Sequence, residues 1–226
     1  MKKILTFAIS ILFVLVGTVV LAHQPRLVFD KNYIRIENPE ISQAFYGELK
    51  GEPAYYQIEE KYGFNLYVGI LSPKIEGADK DFSVETSRNG EIIFVLDGIS
   101  QEWLSFYEEF GGDYYYEGPE NRISVEPGIY TLKVFSPDNR GKYVLVVGEK
   151  EEFPLKEIIN TVKTLPRLKK DFFGKSSLTA FFNIIGLFLF GPLIVLFVII
   201  FFIILYKKKR HKRYNEDLGN KSKTSM

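Results

Sequence analysis

Gly128-Ile129-Tyr130-Thr131-Leu132-Lys133-Val134-Phe135-Ser136, followed by Gly141-Lys142-Tyr143-Val144-Leu145-Val146-Val147-Gly148, is the pair of runs that decides the fold. Tyr130, Leu132 and Val134 recur every second residue, as do Tyr143, Leu145 and Val147, so each set lines one face of a strand. The link Ser136-Pro137-Asp138-Asn139-Arg140-Gly141 is a turn by mechanism: Pro presets φ, Asp and Asn bond locally, and Gly supplies an open dihedral.

The same alternation extends upstream. Phe64, Leu66, Val68 and Ile70 share a face opposite Asn65, Tyr67 and Gly69, and Ile34 and Ile36 alternate with Tyr33, Arg35 and Glu37. Asn89-Gly90 separates Phe82 and Val84 from the run Glu91–Leu96, a strong hairpin signal because both residues tolerate positive φ. Short strands separated by turns predict a mainly β chain whose residues 23–150 form an antiparallel sandwich or jelly roll. The two runs over 121–148 resemble the last hairpin of bacterial pre-peptidase C-terminal (PPC) domains, which implies a small jelly-roll-like sandwich of the kind appended to secreted enzymes. The resemblance covers about 25 residues and bears on fold, not activity.

Two apolar runs flank this domain. Lys2 and Lys3 before Ile4–Leu21, with Val20-Leu21-Ala22 at the end, make residues 1–22 an export signal, with an uncleaved anchor as the alternative. Ile184–Leu205 is 22 residues without a charge; at 1.5 Å per residue it reaches about 33 Å, enough for a hydrocarbon core. The cluster Lys207-Lys208-Lys209-Arg210-His211-Lys212-Arg213 then marks the cytoplasmic side. The expected layout is a transmembrane helix over 178–206 and a basic cytoplasmic tail over 207–226. The sandwich lies outside the plasma (cell) membrane of a single-pass protein. Residues 151–177 read as an amphipathic helical stalk: Leu155, Ile158, Ile159 and Val162 form an apolar stripe, and Leu165-Pro166 ends the helix. It either packs on the domain, lies at the lipid interface or docks a partner.

Composition excludes several chemistries. No cysteine is present, so disulfides, thiolate nucleophiles and zinc-thiolate sites are absent. Residues 23–177 carry 19 Lys+Arg against 26 Asp+Glu, which disfavours nucleic acid as a partner of this domain. No Gly-x-Ser-x-Gly elbow, dinucleotide fingerprint or P-loop occurs, and His23 is the only histidine before the tail, so a Ser–His or two-His metal site is not available there. If cleavage follows Ala22, His23 becomes an N-terminal amine–imidazole pair of the type that binds copper, although no second histidine accompanies it.

The most unusual segment is Trp103–Glu120, with the only Trp and the block Tyr114-Tyr115-Tyr116. Its plainer reading is core aromatics beside a solvated acidic edge. Its functional readings are a protein- or glycan-binding surface of Trp103, Tyr107, Tyr114, Tyr115 and Tyr116, a Ca²⁺ site using Asp113 and Glu117, or a carboxylate hydrolase. Turns are expected at Gly111-Gly112 and Gly118-Pro119. The leading expectation is a non-enzymatic, membrane-anchored binding or accessory module with no cofactor. The signal–sandwich–helix–span–tail order also resembles p24-type cargo receptors, which would make the chain a membrane adaptor, but the family's cysteine pair is missing here.

Overall fold

A computed structural model of the chain describes residues 23–109 and 111–223; the expected export segment 1–22 lies outside the described residues. The chain divides into a β-rich unit ending at Ile184 and a helical unit starting at Ile185. Among the described residues eleven strands build the first: β1 (Gln24–Leu27), β2 (Tyr33–Ile36), β3 (Gln43–Lys50), β4 (Ala54–Glu60), β5 (Phe64–Pro73), β6 (Ser83–Arg88), β7 (Glu91–Leu96), β8 (Leu104–Glu108), β9 (Asp113–Val125), β10 (Gly128–Phe135) and β11 (Arg140–Val147). They form a six-stranded sheet, β1-β3-β11-β5-β9-β8, and a five-stranded sheet, β2-β4-β10-β6-β7. Pairing is antiparallel except at one edge of each sheet, where β1 runs parallel to β3 and β2 to β4.

The core lies between the sheets and is built by the alternating residues. Leu66, Val68, Ile70, Tyr130, Leu132, Val134, Tyr143, Leu145 and Val147 are all buried in one cluster. Inside it the Tyr56 and Tyr143 hydroxyls meet at 2.9 Å, so two buried phenols satisfy each other. Asn89 (φ 50°) and Gly90 (φ 91°) make the expected tight turn between paired β6 and β7. The link after β10 behaves differently. β10 pairs with β4 and β6, whereas β11 pairs with β3 and β5, so Ser136–Asn139 is an arch between sheets rather than a hairpin turn. Both alternating faces point inward because they approach the same core from opposite sides.

Helical structure follows the sandwich: α1 (Leu155–Arg167), a π-helical turn (Leu168–Phe172) and a 3₁₀ turn (Ser177–Phe181). Pro166 lies inside α1 rather than ending it. The missing proline N–H and the crowding of its ring are absorbed by the wider turn that follows, where Phe173 N donates to Leu168 O at 3.3 Å. This segment lies against the six-stranded sheet. Phe172 sits edge-on to Tyr46 with ring centroids 5.2 Å apart and stacks on Phe29 at 5.8 Å. A cavity of about 60 Å³ lined by Ala44, Tyr46, Val144, Leu165 and Leu168 marks the seam. Arg26 pairs with Glu157 at 2.8 Å, and Lys142 Nζ donates to Phe172 O at 2.8 Å.

The last helix, α2, runs from Ile184 to Lys223. Its stretch Phe190–His211 is long and apolar enough to cross a membrane by length and composition. The helix thus begins six residues later than the expected 178, and it continues through the basic cluster, whose Lys and Arg residues are good helix formers.

Candidate functional site

β8 is the outermost strand of the six-stranded sheet, joined to β9 by the Gly111-Gly112 turn, with Gly112 at φ 73°. Register pairs Leu104 with Glu117, Phe106 with Tyr115 and Glu108 with Asp113 on one face, and Ser105 with Tyr116 and Tyr107 with Tyr114 on the other. On the second face Tyr107 and Tyr114 are exposed, with ring centroids 4.8 Å apart. Two lysines from the loop after β5 join them. Lys74 Nζ is 5.6 Å from the Tyr114 ring and 5.7 Å from the Tyr116 ring, and Lys80 Nζ is 4.8 Å from the Tyr116 ring. Lys74 also donates to Ser105 Oγ at 3.1 Å. The result is a tyrosine platform beside two cations, on the strand at one edge of the sheet.

Two of the expected binding residues are not on that platform. Trp103 is 9 % exposed and belongs to the core cluster, its indole N–H donating to Gly98 O at 2.8 Å. Gly118 makes room for it: a Cβ there would come within 2.6 Å of the indole. Gly118-Pro119 is accordingly not a turn but part of β9, opposite the register shift between Gly69 and Leu71. Tyr115 is 2 % exposed, with its hydroxyl 3.3 Å from that of Tyr46 and its ring against Phe106 and Phe173. Burial pushes both phenols above their ordinary range. Trp103 and Tyr115 are buried on opposite faces of the sheet, the first in the core between the sheets and the second against Tyr46 and Phe173; Tyr107 and Tyr114 are exposed, and half-buried Tyr116 packs against the core cluster.

The calcium expectation at Asp113 is corrected as well. Asp113 is buried, and both its oxygens are engaged, Oδ2 by Lys169 Nζ at 2.5 Å and Oδ1 by Lys175 Nζ at 2.8 Å. Lys169, itself buried, also donates to Gly111 O at 2.6 Å, and Asn183 Nδ2 donates to the same carbonyl at 2.8 Å. The oxygens of this turn therefore face ammonium groups, the opposite of a cation's surroundings. Glu117 is exposed on the strand, and Glu108 accepts from Gly111 N at 2.7 Å. His23 Nδ1 is hydrogen-bonded with Ser42 Oγ, and the residue lines the small seam cavity. Among the described residues no three His, Cys, Asp or Glu side chains gather to hold a metal ion.

A larger open groove, about 700 Å³, runs between β1, β2 and α1. Within it Arg26 pairs with Glu157, and Arg35 on its wall pairs with Glu59 outside it.

Sequence reasoning located Tyr107, Tyr114 and Tyr116 but missed Lys74, Lys80, Lys169 and Lys175. The first two reach the tyrosines from a loop some 25 or more residues away in sequence, and nothing local announces it. For Lys169, the signal was its place beside Leu165, Leu168 and Phe172 on the buried side of a helical run.

No protein-family model matches the chain, and no curated protein matches it in sequence. Among solved structures, the chain is similar to the pre-peptidase C-terminal domain of a collagenase from Bacillus anthracis, at 15 % identity and TM-score 0.33 over 54 % of this chain and 97 % of that one. It is also similar to a surface-associated copper-binding protein of Methylomicrobium album BG8, at 7 % identity and TM-score 0.29 over 54 % of this chain and 100 % of that one. A third is the CBM36-1 domain of a multidomain xylanase from the hindgut metagenome of Trinervitermes trinervoides, at 15 % identity and TM-score 0.21 over 51 % of this chain and 83 % of that one. The first is the kind of domain that the runs over 121–148 resemble in sequence.

Proposed function

We propose that this chain is a non-enzymatic binding module tethered to the plasma membrane by a single span, with its sandwich outside and the Lys207–Arg213 cluster in the cytoplasm. The charge-free run Ile184–Leu205, within a helix long and apolar enough to cross a membrane, supports the tether, and the basic cluster supports the orientation. The observation that carries the binding role is the exposed Tyr107–Tyr114 pair flanked by Lys74 and Lys80. Aromatic faces stack on sugar rings or on a partner's apolar side chains, and the ammonium groups pair with carboxylate, sulfate or phosphate. The ligand class that fits is an acidic glycan or an acidic protein surface.

The hydrolase alternative requires two carboxyl groups across one cleft. Of the carboxylates in Trp103–Glu120, Asp113 is held by two lysines and Glu117 is exposed.

The test is affinity capture from solubilised cell envelopes and on an array of acidic glycans, using the full chain in nanodiscs. Tyr107→Ala/Tyr114→Ala and Lys74→Ala/Lys80→Ala are each expected to reduce captured ligand about tenfold or more, as expected for loss of roughly 1.4 kcal/mol. Because these side chains lie at the surface, circular dichroism should be unchanged. Equal capture by the wild type and both variants would remove this site.

A further inference from the structure

The segment after the sandwich has a charge and an exposure pattern that binding at the β8 edge does not use. Residues 23–152 carry 13 Lys+Arg against 24 Asp+Glu, whereas 155–183 carry six (Lys156, Lys163, Arg167, Lys169, Lys170, Lys175) against two (Glu157, Asp171). Charge therefore changes sign where the chain approaches the apolar run. Large apolar side chains in the same segment are uncovered: Phe182 is 83 % exposed, Leu155 72 % and Leu178 71 %, with Ile159 also exposed. On α1 the stripe of Leu155, Ile159 and half-buried Val162 sits roughly a third of a turn round the axis from the buried Thr161 and Leu165. It is thus left uncovered beside the sheet rather than packed under the helix.

We infer that the 155–183 layer is a second membrane contact, lying in the headgroup region of an anionic leaflet with Leu155, Leu178 and Phe182 reaching toward the acyl chains. Three observations select lipid over another occupant. Phe182 is two residues from Ile184, so at no more than about 3.6 Å per residue it lies within roughly 7 Å of the start of the apolar run. The stretch 155–175 before it combines basic and apolar side chains, the composition of an interfacial segment. The exposed Lys156, Lys163, Arg167 and Lys170 are complementary to anionic headgroups, whereas Lys169 and Lys175 are paired with Asp113. The Asp113–Lys169–Lys175 cluster and the Asn183–Gly111 bond fix this layer to the β8–β9 turn. This inference rests on the membrane tether of the proposed function but not on the tyrosine site.

The absence of cysteine makes a direct test available in the full chain. Single cysteines at Leu155, Leu178 and Phe182 would be spin-labelled, with Tyr62→Cys on the exposed sandwich surface and Ile200→Cys in the apolar helix as references. Collision with oxygen and with a water-soluble nickel chelate would be measured in nanodiscs of phosphatidylcholine with about one quarter phosphatidylglycerol. The expected result is that labels at 155, 178 and 182 favour oxygen over nickel, as at 200, and that nickel access at these sites rises in phosphatidylcholine alone. Nickel access equal to that at Tyr62 would overturn the inference while leaving the tether intact. Shielding from both reagents would overturn it in favour of a second copy or another protein. A nickel-accessible label at 200 would remove the tether and the inference together.

Discussion

The two sheets of the sandwich face different surroundings, and β10 and β11 display the difference. In β10, buried Tyr130, Leu132 and Val134 alternate with partly exposed Thr131 and Lys133, because the outer face of the five-stranded sheet meets solvent. In β11, Tyr143, Val144, Leu145, Val146 and Val147 are buried without interruption, as is most of β3. One set fills the core, and the other, with Tyr46 and Ala44, lies beneath α1 and the turns after it. A strand buried on both faces reads as an unbroken apolar run, whereas one with a wet face alternates. Residues 155–183 therefore form a third layer packed on the sandwich.

Raising the pH tests both seams at once. Each seam holds a phenol pair, Tyr56–Tyr143 between the sheets and Tyr46–Tyr115 under the layer. Burial raises all four pKa values above the ordinary 10.0, Tyr143 to about 12. The folded state thus favours the neutral phenols, so their contribution is complete below pH 10 and is lost as pH climbs through the folded values. Tyrosinate absorbance should rise for these four residues together with loss of circular dichroism; ionisation near pH 10 in an intact fold would contradict their burial.

Smaller effects separate the covered sheet from the open one. Asp113→Ala leaves Lys169 buried with its charge uncompensated and should cost about 3–5 kcal/mol in denaturant unfolding. Phe172→Ala, at the centre of the layer's aromatic cluster, should cost about 3 kcal/mol. Val146→Ala, on the covered face of β11, should cost about 2 kcal/mol, whereas Lys133→Ala on the open face of β10 should stay within about 0.5 kcal/mol. A Val146 variant as mild as the Lys133 variant would erase the distinction between the sheets.

Much of this was legible beforehand. The periodicity of Leu66–Ile70 and Tyr130–Val134 identified core faces, and Asn89-Gly90 identified a hairpin, because both signals are local. Sheet membership was not legible for β11, since inward alternation is the same whichever sheet supplies it. Trp103 suggested a surface ligand because its sequence neighbours are acidic and aromatic. Its burial depends on the absence of a side chain at Gly98 and Gly118, a complementarity that exists only once the sheets are assembled. Asp113 looked like a metal ligand among other carboxylates, and only the folded chain brings Lys169 and Lys175 to it across more than 50 residues.

The third layer can be tested by comparing the urea midpoint of residues 23–152 with that of residues 23–183. Removing the layer strips cover from Tyr46, Tyr115, Val144 and Val146, so the shorter fragment should unfold at markedly lower urea or precipitate. Equal midpoints for two soluble fragments would show that the sandwich is complete without the layer and would contradict the account.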